Sequence, residues 1–308
     1  MPLTAIDLHA HSSASDGALA PEALVALAAE RAVGVLALTD HDTLVGVEAA
    51  CRAGERLGLR VLPGIEISTY EGGIGLHILG LGVTPDAPGL TDMIQRLGRA
   101  RTARLGRILC KLRTAGVMLA EEDVLRECRA AAHVGRAHIA RAMVRLGLAR
   151  NFKAAFDEYL GVGRPAFEEI ELLTPAAAID IVHAAGGVAS LAHPTTARLD
   201  PADFEILLSR LAASGLDGLE VDTPAHTRTR KRYFRQIAAT LGLLETGGSD
   251  FHEPDCGRLL GNGTGRARLK PDRFQPVLER LFVTHPRSML EIEASSERPA
   301  KALVHRGG

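Results

Sequence analysis

Val35-Leu36-Ala37-Leu38-Thr39-Asp40-His41-Asp42 is an apolar run that breaks without a spacer into three ionisable residues. A short apolar run with such flanks reads as a buried strand. Turn chemistry and capping of the following helix would explain one aspartate, but an apolar strand gains nothing from ending in Asp-His-Asp. The pattern recurs along the chain. Ile6-Asp7-Leu8 leads into His9, and Val61-Leu62 leads into Pro63-Gly64-Ile65-Glu66. The run from Leu76 to Leu81 contains His77. Val188 to Ala192 leads into His193-Pro194, Leu219-Glu220-Val221 into Asp222, and Leu243-Leu244 into Gly247-Gly248-Ser249-Asp250. Helical periodicity fills the gaps, over Pro21 to Ala32, Leu44 to Leu57, Pro175 to Ala185, Pro201 to Ala213 and Thr227 to Leu241. Strands alternating with helices predict a parallel sheet with crossover helices. Seven such strands predict a closed or nearly closed α/β barrel, with its chemistry at the C-terminal strand ends, where the polar residues fall.

The alternation stops between residues 89 and 173. Thr91 to Ala115 is one long helical pattern, followed by shorter ones near Glu121–Cys128, Gly135–Leu146 and Lys153–Tyr159. The expected organisation is therefore a discontinuous barrel of residues 1–88 and 174–290, a helical insertion at 89–173, and a tail at 291–308. From Met93 to Lys153 there are fourteen Lys/Arg against four Asp/Glu, although the whole chain of 308 residues carries a net charge of only −1. Two readings stay open for that surplus: a solvated helix face, or an electrostatic lid that draws polyanions to the barrel mouth.

Composition narrows the class. Four scattered cysteines with no CxxC pair argue against a disulfide framework or a thiolate zinc site. No basic, apolar leader pattern opens the sequence, and no run of 18 apolar residues occurs, so a cytoplasmic protein without membrane contact is expected. No obligate protein partner is implied.

His9 and His11, two apart in an extended segment, point to one side and can converge on one ion. Asp16 opens a Ser-Asp-Gly stretch, where turn chemistry is the alternative. Glu66 lies inside an apolar run, and a buried carboxylate is costly unless paired or metal-bound. His77 lies likewise among apolar residues, where a hydrogen-bonded core histidine is the alternative. His193 closes a strand, and Asp250 and His252 repeat the two-apart spacing. Together with His41, these nine residues gather at the ends of strands that a barrel brings together. Imidazole and carboxylate ligands without thiolate suit Mn²⁺, Zn²⁺ or Fe²⁺. Nine ligands suit two or three divalent ions with open positions left over, a set fitted to hydrolysis by an activated water and to neutralising phosphate charge.

The segments DLHAHS with its S-DG, ALTDHDT, PGIEIS, HILG, LAHP and GSDFH resemble, in order, the motifs of the polymerase and histidinol phosphatase (PHP) family. The resemblance implies a distorted (β/α)7 TIM-like barrel and a trinuclear centre. One ion would lie among His9, His11, Glu66 and Asp250. A second would share Glu66 and take His77 and His193, and a third would take Asp16, His41 and His252. Mn²⁺ is the first choice of metal. The basic insert resembles that of stand-alone nucleotide phosphoesterases, which remove the 3′-phosphate of nucleoside 3′,5′-bisphosphates such as pAp and in some members trim short RNA from the 5′ end. On that resemblance the substrate is a small phosphorylated nucleotide or a short single-stranded RNA. Val134-Gly135-Arg136-Ala137-His138 resembles that branch's Arg-x-His segment, and Gly161 to Pro165 its Gly-Lys-Pro segment with Arg164 in place of Lys. Arg136, His138, Arg164 and the displaced Arg198 are thereby candidate substrate-binding residues, with surface charge and helix packing as alternatives. His193, His252 and Asp250 are the candidate catalytic residues. A histidinol-phosphate-type phosphatase of the same family and a non-catalytic nucleotide-binding barrel are the rival functions.

Overall fold

The computed structural model describes residues 4–128, 131–254 and 257–284. Cys256, His285, His305 and the expected tail at 291–308 lie outside them. Seven strands form one sheet in chain order: β1 (Ala5–Ala10), β2 (Val33–Leu38), β3 (Arg60–Glu71), β4 (Ile74–Leu81), β5 (Val188–Leu191), β6 (Gly218–Asp222) and β7 (Leu244–Gly247). The segment after β7 returns alongside β1 through a parallel bridge between Ala10 and Phe251. Asp250 N donates to His9 O (2.8 Å) and His11 N to Phe251 O (2.9 Å), which closes the ring.

Both faces of the sheet are covered. Leu36 and Leu38 of β2 pack with Leu24, Val25 and Ala28 of α1 (Pro21–Glu30) and with Ala50 and Ala53 of α2 (Val47–Leu57). Val35 and Ala37, on the alternate positions, pack instead with Phe274 and with Leu278 and Leu281 of the C-terminal helix. That two-residue alternation with apolar residues on both sides is how a doubly covered sheet reads.

The expectation of a wholly parallel sheet is corrected at one strand. β4 runs antiparallel to both β3 and β5, while the other four pairings are parallel. The reason is local. Glu71 pairs with Ile74, so Gly72-Gly73 forms a two-residue hairpin loop with φ of +59° and +86°. Positive φ at both loop positions is the condition for a tight turn matched to strand twist, and glycine meets it without strain. His77 consequently does not stand at the C-terminal end of a parallel strand. It lies within β4, opposite Ser68.

Between β4 and α7 (Pro175–Ala184) lie α3 (Pro88–Thr114), α4 (Glu121–Cys128), α5 (Arg136–Arg145), α6 (Phe152–Ala155) and a π-helical turn at Phe156–Leu160. Helix α3 belongs to two cores. Its Leu90, Met93 and Leu97 pack with Ile179 and Val182 of the barrel layer. Its Leu105, Ile108 and Leu112 pack with Val124, Ile139 and Met143 of the other insert helices. The remaining helices, α8 (Pro201–Ala213), α9 (Arg228–Leu241) and α10 (Gln275–Thr284), complete the barrel layer. Asp200 and Thr227 cap the first two by accepting from Asp203 N (3.0 Å) and Arg230 N (3.2 Å).

Candidate active site

The nine ligand candidates converge at one end of the barrel. Glu66 is fully buried at the centre. Its Oε2 lies 3.1 Å from both His9 Nε2 and His11 Nε2, and 3.3 Å from His41 Nδ1. Its Oε1 lies 2.7 Å from His77 Nδ1 and 2.8 Å from His193 Nε2. Asp250 Oδ1 stands 3.4 Å from His9 Nε2 and 3.3 Å from His11 Nε2. Asp16 Oδ1 stands 3.4 Å from His252 Nε2 and 3.8 Å from His11 Nδ1. Three groups offer ligand atoms close enough for one ion: His9, His11, Glu66 and Asp250; His41, Glu66 and His77; and His11, Asp16, His41 and His252.

Several backbone and side-chain arrangements hold these groups. Asp42 and Asp250 have φ of +51° and His193 of +25°, a region that non-glycine residues enter only where the surroundings over-determine it. Buried Asp40 accepts from Ser12 N (2.8 Å), Ser12 Oγ (2.6 Å) and Ser15 Oγ (2.6 Å), which fixes the loop that carries Asp16. Asp42 takes Ser68 N (2.8 Å) and pairs with Arg101 of α3, so it joins the insert to the strand ends. Of the three ionisable residues in Thr39-Asp40-His41-Asp42, only His41 faces the cluster, and the two aspartates build its frame.

The electrostatics are those of charge concentrated away from water. Burial opposes ionisation of Glu66, but the imidazoles of His41, His9 and His77 outweigh it and hold the carboxyl well below the usual carboxylate range. Asp250 and Asp16 are held low in the same way, against burial, by His9 and His252 and by His252 and His41 respectively. Burial also opposes charge on His11, yet Asp250 and Glu66 raise it to about 10, whereas at His41 burial prevails and brings the ring down to about 4. Transferring such groups from water costs several kcal/mol each unless they are neutralised.

A cation fits this set. His11 Nδ1 and His41 Nδ1 are sealed from solvent and make no hydrogen bond. Ligand atoms about 2.1 Å from a shared ion lie roughly 3.0–3.4 Å from one another. The His9, His11, Glu66 and Asp250 atoms show that spacing, at 3.1–3.4 Å.

A cavity of about 340 Å³ extends from Asp16, His41 and His77 to the underside of the insert. Arg101, Arg104, Arg136, Phe156 and Phe167 are among its walls. Of the candidate substrate-binding residues, Arg136 reaches it. Its guanidinium donates to Leu160 O (3.1 Å) and lies 5.4 Å from the Phe167 ring and 5.8 Å from the Phe156 ring. His138 also borders the cavity, but both its nitrogens are engaged, with Ser15 O (2.9 Å) and with Gly135 N (3.0 Å), so it acts on the Asp16 loop and has none left for a phosphate. Arg164 and Arg198 are exposed and do not line the cavity, and both lie near Asp157.

Three participants, buried Glu220 and Arg104 and half-buried Arg101, escaped the sequence reading. Glu220 accepts from His193 N (2.6 Å) and faces His9 Nδ1 (3.0 Å), fixing the ring whose other nitrogen meets Glu66. Its sequence signal, a carboxylate inside an apolar run, is the one that singled out Glu66. Arg101 and Arg104 interrupt the apolar stripe of α3 that Leu97, Leu105 and Ile108 define, a signal hidden among fourteen basic residues.

A nearly closed seven-stranded α/β barrel, with imidazoles and carboxylates converging at one mouth, is the frame of a metal-dependent hydrolase, and the family match and relatives make this chain a phosphoesterase, a hydrolase acting on phosphate ester bonds. Residues 7–161 match the PHP domain, and the chain belongs to that family. The chain is 38% identical to a 5′-3′ exoribonuclease of Haemophilus influenzae over 251 residues, covering 82% of this chain and 90% of the relative. It is 33% identical to a 3′,5′-nucleoside bisphosphate phosphatase of Chromobacterium violaceum over 295 residues, covering 96% and 99%. A Bifidobacterium adolescentis structure described as a metal-dependent phosphoesterase superimposes with a TM-score of 0.80 at 29% identity, over 91% of this chain and 97% of that one. Among the described residues no helix is long and apolar enough to cross a membrane.

Proposed function

We propose that this chain removes the 3′-phosphate of nucleoside 3′,5′-bisphosphates, converting pAp to AMP and phosphate, at a centre of two or three divalent cations. One observation carries the reading. Both oxygens of the buried Glu66 are shared among imidazoles, Oε2 by His9 and His11 and Oε1 by His77 and His193, so that this one carboxylate would serve two cation sites. His9, His11, Glu66 and Asp250 would hold one ion, Glu66, His77 and His193 a second, and Asp16, His41 and His252 a third. Mn²⁺ is the proposed metal. Bound there, such ions acidify a water and neutralise phosphate oxygens.

The chain's own residues do the rest. Arg136 holds phosphate oxygens through its guanidinium fork, and the Phe156 and Phe167 rings beside it offer faces to a base. His193 and His252 each anchor Nδ1, on Thr196 Oγ1 (3.1 Å) and on Asp250 O (3.0 Å), and present Nε2 to the cluster. His252 is the more exposed of the two side chains, at 25% against 12%; in a centre of two ions, with the third position empty, its Nε2 would be free to give a proton to the leaving oxygen.

A second reading, 5′-to-3′ trimming of short RNA, draws support from the 38% identity to a 5′-3′ exoribonuclease over 82% of this chain. The test, with Mn²⁺, measures phosphate release from pAp and from histidinol phosphate and nucleoside 5′-monophosphate release from a 5′-phosphorylated trinucleotide in parallel. Turnover of pAp that Glu66→Gln reduces at least a thousandfold is expected. Turnover of histidinol phosphate alone, or a fully active Glu66→Gln protein, would refute the reading.

A further inference from the structure

Asp250 turns only one of its carboxylate oxygens toward the cluster. Oδ1 faces His11 Nε2 (3.3 Å), His9 Nε2 (3.4 Å) and His252 Nδ1 (3.5 Å). Oδ2 is taken by Arg258, whose Nη1 also donates to Asp250 O (2.7 Å). The guanidinium thus grips both the side chain and the carbonyl of a residue with φ of +51°, a conformation that persists only where the surroundings over-determine it. The two segments that carry the pair are joined behind it. Fully buried Asp7 accepts from Ser249 N (2.8 Å), one residue before Asp250, and from Gly261 N (2.8 Å), three residues after Arg258. Arg268 donates to Leu260 O (3.2 Å) in the same loop.

Neither Asp250 nor Arg258 is among the residues that line the cavity, so Arg258 bears on the ion site rather than on a substrate in the cavity. The other carboxylate of the same ligand group is also divided. Glu66 gives Oε2 to His9 and His11 and Oε1 to His77 and His193. Neither carboxylate of the His9, His11, Glu66 and Asp250 group can therefore close both oxygens on one ion. Small transition ions accept single carboxylate oxygens beside imidazoles, at about 2.0–2.2 Å. Ca²⁺ is larger, takes about six to eight oxygens and commonly draws both from one carboxylate.

We propose that Arg258 sets the metal selectivity of this ligand group: by withholding Asp250 Oδ2 it holds Asp250 to single-oxygen ligation and disfavours Ca²⁺ against Mn²⁺. The assignment rests on the reading of a cation centre at these residues, and it does not depend on which phosphate ester is cleaved. Arg258 is a positioning residue that acts through Asp250. Loss of its positive charge alone would tighten both ions, and a loosened loop alone would weaken both. Release of Oδ2 favours Ca²⁺ selectively.

The test titrates metal-free wild type, Arg258→Met and Arg258→Lys with Mn²⁺ and with Ca²⁺ by calorimetry, and follows displacement of bound Mn²⁺ by Ca²⁺ with electron paramagnetic resonance. Wild type should prefer Mn²⁺. In Arg258→Met the ratio of the Ca²⁺ to the Mn²⁺ dissociation constant should fall at least tenfold. Arg258→Lys, which keeps a charge and a donor for Oδ2, should hold that ratio within about threefold of wild type. A ratio unchanged in Arg258→Met, whether its two constants move together or stay, overturns the assignment, as does an equal fall in Arg258→Lys. Should Arg258→Met not fold, Arg258→Gln, too short to span both acceptors, is judged by the same criterion. A wild type that binds no Mn²⁺ sinks the cation centre and the assignment together. A wild type that binds Mn²⁺, with variants of unshifted ratio, sinks the role of Arg258 alone.

Discussion

Glu220 is buried and belongs to none of the three ligand groups, yet it bears on how the cluster holds an ion. By facing His9 Nδ1 at 3.0 Å it settles which His9 nitrogen is free, and by accepting from His193 N at 2.6 Å it fixes a second ligand's backbone. Carboxylates behind metal-binding histidines set ring orientation and basicity, and their loss typically weakens metal binding by about 10- to 100-fold. Glu220→Gln should therefore require more Mn²⁺ for half-maximal activity by a factor in that range and recover most of its kcat at saturating metal. An unchanged metal titration would show that His9 needs no such support. Asp40 and Asp42 mark the limit of reading residues by type. Their sequence environment matches that of His41, but hydrogen bonds to Ser12, Ser15 and Ser68 claim them, and these partners become visible only once the chain is folded.

At the scale of elements, two-residue spacing made the cluster legible. His9-x-His11 runs off the end of β1, where that spacing fixes a common side; Asp250, with φ of +51°, leaves the extended region, and the bridge at Phe251 brings it and His252 beside β1. The reversal of β4 was legible too, since two glycines between β-branched and aromatic runs mark a hairpin, but the expectation of crossover helices obscured it. The juxtaposition of β1 with the segment after β7 followed only from the expectation of a closed barrel and from the family resemblance, because no local pattern reports contact between residues some 240 positions apart. Gly248 makes that contact possible. A Cβ there would fall 2.3 Å from His9 Cβ and 2.5 Å from His9 N. Gly248→Ala should push β1 aside, destabilise the fold by roughly 1–3 kcal/mol and reduce bound metal. Gly106→Ala, where an added Cβ meets nothing within 4 Å on helix α3, should instead raise stability by about 0.5–1 kcal/mol. Thermal melts with metal analysis of both variants check the pair.

Across the whole molecule, charge is segregated rather than large. A chain with a net charge of −1 carries a basic insert over a cluster rich in carboxylates. The arginines that face the cavity should raise the local concentration of anionic substrates and lose that effect as salt screens it. KM for a bisphosphate should rise roughly threefold or more between about 20 and 300 mM NaCl, with KM for a weakly charged aryl phosphate ester nearly constant. Parallel salt responses for the two substrates would leave the insert without an electrostatic part in capture.

Helix α3 carries a consequence for how this architecture can vary. It is one unbroken rod of 27 residues, about 40 Å long, anchored in one core by Leu97 and in another by Leu105. Its rotational phase sets which side chains look into the cavity. Adding a single residue between those anchors would swing Arg104 by about 100° about the axis, whereas adding seven would bring it nearly back into line. Insert and barrel can exchange parts between relatives only in steps that respect the helical repeat, so the length of this helix is itself part of the binding site.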